Sequence, residues 1–375
     1  MRAIPITRRL LASSIGATSF ALVATMGVAS PAAAASQDPA LASKLTSVMQ
    51  DSRVQQARSA AIVMDAGSGA ELYSRYASRG TTPASNTKIL TAAAAMKTLG
   101  PSYRFKTEVI RRAKMENGVV MGRLYLKGYG DPTTLQSDYR SLAEQVRASG
   151  VRRVTGQLIA DASFFDSVRY NSTWSTSYAS SYYAAQTSAL TVAPNADLDS
   201  GTVVLTYRPG LLGKPAKISV TPAAAAKYIT LVNKTTTGTS GSAATFSARR
   251  ALNTNQITVS GRVPLGRAAA NKLITVDRPD LYAAAVFRAE LVKVGVIIEG
   301  STRVLATPLT YRRVLARDTS MTLSNLLVPF MKLSNNMHAE ALTKTMGTRK
   351  GRPGNWTDGL SFTRAYLTSL GVPMT

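Results

Sequence analysis

Apolar positions along the chain fall into short runs whose spacing changes character several times. Ala60 to Met64 and Ala70 to Tyr73 are apolar stretches of strand length around Asp65-Ala-Gly-Ser-Gly69, the pattern of a hairpin. Beyond Pro83 the pattern turns helical: Ser85 to Leu99 is rich in helix formers, opens on a cap-type residue and closes on Gly100 and Pro101. Phe105 to Ile110 and Val119 to Leu126 read as strands flanking Met115-Glu-Asn-Gly118, whose Asn-Gly pair favours a tight turn. Leu135, Tyr139, Leu142 and Val146 recur at helical spacing up to Gly150.

From Thr202 to Val276 the chain is dominated by Thr, Val, Ser and Gly in short alternating runs, which predicts a β-rich, loop-heavy module. Helical spacing returns from Asp280 to Val294, followed by a short strand around Val296 to Ile298. Leu323 to Met346 and Thr357 to Leu370 read as helices ending at Gly347 and Gly371. Helical ends thus bracket a β-rich middle, the pattern of an insertion within one domain rather than of domains in tandem, and no internal repeat is evident.

The N-terminus changes the picture of where the protein works. Arg2, Arg8 and Arg9 precede an apolar run from Leu10 to Val28 and a small-residue tract ending at Ala35, which predicts a secretory signal peptide over residues 1–35 cleaved near Ala35. The expected mature protein is exported to the outside or the cell wall. Its formal charge falls from +25 to +22 when the three arginines leave. Such a basic exported chain points to an anionic wall polymer or a membrane surface as partner rather than to nucleic acid, although a generic solvated basic surface accounts for the charge equally well.

Zero cysteines exclude a disulfide framework, a thiol nucleophile and a Cys/His zinc cluster. With His338 as the single histidine, a Ser-His-Asp triad has one candidate base and no supporting motif. A hydrolase built on this chain is expected to use a lysine or a carboxylate. His338 itself is expected on a helix, structural or exposed.

Ser85-Asn-Thr-Lys88 has the S-x-x-K form. Three residues along a helix bring both side chains to one face, where a partly desolvated Lys88 amine is able to take the Ser85 proton. The same four residues also describe an N-cap serine with an exposed lysine. Ser334-Asn-Asn336 has the S-x-N form on a loop before the Met337 to Met346 helix, where a hydroxyl and an amide suit proton relay and substrate binding, or equally a plain helix cap. Asp131, in Gly130-Asp-Pro, reads as a turn residue. Trp174, Tyr182 and Tyr183 suit either a cleft wall or the core.

Taken in order, Ser85-x-x-Lys88, Leu124-Tyr-Leu-Lys-Gly-Tyr-Gly-Asp-Pro-Thr133, Tyr182-Tyr-Ala-Ala-Gln-Thr-Ser-Ala-Leu190, Val259-Ser-Gly-Arg-Val-Pro264 and Ser334-Asn-Asn-Met-His-Ala-Glu340 resemble the D-alanyl-D-alanine carboxypeptidase/endopeptidase family, the class C low-molecular-mass penicillin-binding proteins of peptidase family S13. The resemblance runs from about Leu45 onward. It implies an α/β fold: a penicillin-binding, serine β-lactamase-like transpeptidase domain carrying β-rich inserted domains. Residues 36–100 and 311–375 are then the two parts of the catalytic domain, and residues 101–310 the insertion, with a nested module at about 200–276.

The resemblance further implies a serine D,D-peptidase with no cofactor and no metal, acting on peptidoglycan stem peptides and acylated by β-lactams as inhibitors. Carried over position by position, Ser85 is the nucleophile, Lys88 the general base, Ser334 the proton shuttle and Asn336 a partner of substrate and of Lys88. The family's Lys-Thr-Gly motif, with Asp-Gly-Ser-Gly-Leu before it, does not occur in these 375 residues, and Lys344-Thr-Met is no equivalent. The ending at Gly371-Val-Pro-Met-Thr375 is accordingly read as a C-terminally incomplete catalytic domain, the end of a fragment. A β-lactamase or esterase of the same serine class, and a catalytically compromised wall-binding protein, are the competing readings.

Overall fold

A computed structural model of the protein describes residues 38–373, so the expected signal peptide over residues 1–35 lies outside the described residues. The described residues divide into two compact units, one ending at Pro83 and one beginning at Ala84. In the first, helices α1 (Pro39–Gln50) and α2 (Ser52–Gln55) precede an antiparallel hairpin of β1 (Ala61–Met64) and β2 (Glu71–Arg75). Its turn forms as the Asp-Ala-Gly-Ser-Gly pattern predicts: the Asp65 carboxylate accepts from the backbone N–H groups of Gly67 (3.1 Å) and Ser68 (2.7 Å).

The second unit holds helices α3 (Thr87–Leu99), α4 (Gln136–Ala148), α5 (Pro279–Lys293), α6 (Leu323–Leu333), α7 (Asn336–Gly347) and α8 (Trp356–Ser369). Strands β3 (Arg104–Arg111), β6 (Leu124–Gly128), β8 (Leu158–Asp161), β16 (Thr302–Val304) and β17 (Arg313–Thr322) form a sheet in the order β16-β8-β6-β3-β17. The short strands β4 (Met115–Glu116), β5 (Val119–Val120), β7 (Arg153–Val154) and β15 (Ile297–Ile298) make a second sheet, β15-β7-β5-β4. In the β-rich middle, β9 (Thr202–Arg208), β10 (Lys217–Thr221) and β14 (Ala270–Thr275) pair as β10-β9-β14, while β11 (Thr230–Gly238), β12 (Ser247–Arg250) and β13 (Gln256–Pro264) pair as β11-β13-β12.

The expected strand over Val119 to Leu126 is two strands. Asn117 and Gly118, both at positive φ, close the small β4–β5 hairpin. After an interruption at residues 121–123, β6 starts in a different sheet, antiparallel to β3. Strand β17 has no counterpart among the elements expected from the pattern, and it forms the sheet edge beside β3.

Two large buried cores result among the described residues, with a small third cluster of Ile110, Tyr125 and Ile159. One joins Leu142 and Val146 of α4 and Phe287 and Leu291 of α5 to Val109, Leu126, Leu158, Val203 and Ile257 of the sheets. The other gathers Ala92, Ala94 and Ala95 of α3 with Leu326 and Phe330 of α6 and Leu342 and Met346 of α7. The alanines are what allow three helices to close around α3, because a larger side chain would hold them apart. Helices α7 and α8 approach closely at Gly359, where an added Cβ would lie 2.0 Å from the Thr343 carbonyl oxygen. Among the described residues no helix is long and apolar enough to cross a membrane.

Candidate active site

Ser85 stands exposed on a 3₁₀ turn, Ala84–Asn86, that runs directly into α3. Ala84 enters that turn at φ 46°, a conformation L residues avoid, so the chain is sharply redirected just before the serine. No side chain caps α3. Its positive end therefore lies beside the Ser85 hydroxyl. Lys88 follows one turn later and is 7% exposed.

The second group of residues comes from the junction of α6 and α7. Ser334 caps α6 in the left-handed region, φ 55° and ψ 40°. Asn335 then caps α7, accepting from the N–H groups of Met337 (2.9 Å) and His338 (3.3 Å). The amide of Asn335 donates to the Leu198 carbonyl at 3.2 Å, which ties this junction to the loop before β9. Asn336 is fixed at both ends of its amide: Nδ2 donates to the Tyr183 carbonyl at 2.9 Å and Oδ1 accepts from Lys88.

Lys88 Nζ is the hub. It lies 3.0 Å from Ser85 Oγ, 3.3 Å from Ser334 Oγ and 2.7 Å from Asn336 Oδ1. Ser85, Ser334 and Asn336 are thus brought within reach of the Lys88 amine from two places far apart in the chain. As an ammonium Lys88 has a donor for each of the three oxygens, and on losing one proton it keeps two donors for Asn336 and Ser334 and gains a lone pair toward Ser85. Burial lowers the Lys88 pKa, and the negative charge of Glu340 opposes that shift.

These groups open into a cavity of about 470 Å³ whose wall includes Ser85, Lys88, Asn336, Trp174, Glu340 and Trp356. Trp174 is therefore a wall of this cavity. Tyr182 and Tyr183 are 48% and 42% exposed and so lie outside the core. The structural role expected of Asp131 fits its surroundings: its carboxylate accepts from Thr133 N (2.8 Å) and Thr133 Oγ1 (2.6 Å), and burial lifts its pKa to about 6.

His338 sits on α7 fully buried, with Nε2 3.1 Å from the Leu198 carbonyl, and does not line the cavity. Burial pushes its pKa down from 6.5 to about 4. A depressed histidine withholds a proton that the unfolded chain binds, so its share of stability is present above 6.5 and is lost as pH falls to about 4. The expected loss is about 3 kcal/mol. H338F should remove this component, since Leu198 keeps the Asn335 donor. Guanidinium unfolding across this pH range checks it, and a parallel decline in both proteins would refute it.

The model of the D-Ala-D-Ala carboxypeptidase 3 (S13) family matches residues 41–375. The chain belongs to this family. A D-alanyl-D-alanine carboxypeptidase of Actinomadura sp. (strain R39) is 39% identical over 330 residues, covering 88% of this chain and 61% of that protein. The D-alanyl-D-alanine carboxypeptidase DacB of Haemophilus influenzae is 24% identical, over 77% of this chain and 59% of its own length. This S13 chain therefore spans about three fifths of the length of those relatives.

The fold is that of penicillin-binding protein 4 (dacB) from Haemophilus influenzae, whose crystal structure matches with a TM-score of 0.71 at 23% identity, over 83% of this chain and 67% of that one. A second structure of that protein, complexed with a novel β-lactam, matches with a TM-score of 0.60 at 23% identity, covering 78% of this chain and 61% of its own. The α/β penicillin-binding fold expected from the sequence is the one observed.

Three residues that support or line the cavity, Leu198, Tyr183 and Trp356, carried no distinct signal in the sequence. Leu198 and Tyr183 act through their backbone carbonyls, which no residue type announces. Trp356 reaches the site from α8, and only the packing of α8 on α7 places it there. Glu340 was legible in principle: it lies one helical turn beyond Asn336 on the same face.

Proposed function

We propose that the protein is a serine D,D-peptidase that cleaves the bond between two terminal D-alanines of peptidoglycan stem peptides through an acyl-enzyme on Ser85. The observation that carries this reading is the placement of Lys88 Nζ within hydrogen-bonding reach of Ser85, Ser334 and Asn336, in a chain of the S13 family. Ser85 Oγ attacks the carbonyl carbon and its proton passes to Lys88 Nζ. The proton then travels by way of Ser334 Oγ to the leaving amine nitrogen as the C–N bond breaks. Water releases the acyl group with the same groups acting in reverse.

A β-lactam offers the same serine a strained amide whose leaving nitrogen stays attached, so it is expected to acylate Ser85 and persist. The cavity is also suited to endopeptidase action on D-Ala-diamino acid cross-links, since it is open to solvent beside Ser85 and leaves room for a larger leaving group. Export follows from the signal-peptide pattern that ends at Ala35, and the basic charge suits anionic wall polymers.

Fluorescent penicillin is expected to label the protein, with the adduct mapping by mass spectrometry to the peptide holding Ser85. A peptide ending in D-Ala-D-Ala is expected to release free D-alanine. S85A should lose both signals, and label retained by S85A would sink the assignment. Rapid turnover of a chromogenic cephalosporin would instead favour a β-lactamase.

A further inference from the structure

We propose that Glu340 is the counter-ion of Lys88, a positioning residue whose carboxylate favours the ammonium form that Lys88 takes on while Ser85 gives up its proton. The inference rests on the functional reading above and adds a residue to it. Glu340 follows Asn336 by four residues on α7, so the two side chains share one helix face. Asn336 is the residue that receives the Lys88 hydrogen bond at 2.7 Å, and both it and Glu340 line the cavity that holds Ser85.

The simpler account makes Glu340 an ordinary helix partner of Lys344, four residues further on. The geometry argues against it. The Lys344 ammonium is fully buried and turns away to Asp166 Oδ1 at 2.6 Å and the Val168 carbonyl at 2.5 Å, packed 3.8 Å over the Trp356 ring. Glu340 is thus left without an ion-pair contact among the described residues, on the wall of a cavity whose other charged side chain is Lys88.

The charged surroundings on every side are few. Toward Lys88, from α7, Glu340 is the charged group that acts on it. Toward Glu340 act first the Trp356 indole from α8, then Lys344 from its own helix and Lys88 from α3; behind Lys344 lie Asp166 and Arg169. Burial raises the Glu340 pKa, and these neighbours favour its ionised form.

A carboxylate that lines the same cavity without an ion-pair contact to Lys88 suits the chemistry. Direct pairing would hold Lys88 as an ammonium and deny Ser85 a base. At a remove, the field of this half-buried carboxylate still stabilises the charge created as the proton moves from Ser85 Oγ to Lys88 Nζ. The charge returns to zero when that proton leaves through Ser334.

The test is the pH dependence of Ser85 acylation by a β-lactam, followed by intact mass in the wild-type protein, E340Q, E340L and E340D. Without the carboxylate, Lys88 gives up its proton more readily, so the acid limb of the rate profile should move to lower pH by about one unit while the maximal rate falls about tenfold. E340L fills the space without charge and should behave as E340Q does, while E340D should keep the wild-type limb.

Acid limbs that coincide in the wild type and both neutral variants overturn the inference even if the rates fall, because that is the mark of a purely structural role. A wild-type protein that takes up no β-lactam, or an S85A protein that does, overturns the functional reading and this inference with it.

Discussion

K88M is expected to slow acylation of Ser85 by a β-lactam about a thousandfold, within the span that a positioned general base contributes. Methionine matches the length of the lysine stem, so the pocket among Ser85, Ser334 and Asn336 stays filled while the acceptor of the serine proton is lost. The group removed is 7% exposed, and replacing it with an apolar side chain relieves a desolvated amine, so the fold should hold. Asn336 Oδ1 loses its 2.7 Å partner but faces an open cavity where water replaces it. Progress curves of acylation, read by intact mass, give the rate. A fall of less than about tenfold would mean that Ser85 finds its base elsewhere.

The residues of this site were legible in the sequence to unequal degrees, and the reasons are physical. Ser85 and Lys88 could be paired because helical spacing converts three positions of separation into proximity on one face. Helix α4 was visible because it buries one stripe on the sheet, which leaves a periodic signature, whereas α5 buries Asp280 and Glu290 along with its apolar residues and leaves Val292 exposed, so it showed itself by its content of helix formers and by the Gly295 that follows it. Strand β17 was not. Arg313, Arg317 and Asp318 punctuate it, and it earns its place by pairing with β3 at a sheet edge, which demands backbone partners and little apolar surface. The break in the expected strand at residues 121–123 was hidden for a related reason, since a chain that changes sheets keeps its apolar content.

Asn335 and Asn336 show the same limit at the site itself. Their types suggested a cap, and Asn335 is one. What the sequence does not reveal is that each amide is held by a carbonyl from a distant loop, Leu198 for one and Tyr183 for the other. The left-handed backbone of Ser334 is likewise a property of the junction between α6 and α7, with no glycine to mark it. His338 had two open readings, and its surroundings decide for burial.

The largest expected effect on stability lies away from the chemistry, in the sheet that carries the Gly-Asp-Pro segment. D161A is expected to destabilise the protein by about 3–5 kcal/mol, the usual consequence of leaving one member of a buried ion pair alone. Asp161 is fully buried on β8, and its carboxylate accepts from Lys127 Nζ (2.8 Å), Thr307 N (2.7 Å) and Ser163 N (2.9 Å). Alanine strands the Lys127 ammonium at 9% exposure with Ser163 Oγ as its remaining hydrogen-bond partner, and frees the Thr307 N–H in the interior. The two residues sit opposite each other in the parallel pairing of β6 with β8, so neither charge can swing to solvent without disturbing the sheet.

If the stranded charge is the cause, K127M should recover most of the loss when combined with D161A, leaving chiefly the cost of the unpaired Thr307 N–H. Urea unfolding of the two single variants and the double variant supplies the comparison. Additive losses would show that Asp161 acts through the loop at Thr307 rather than through Lys127.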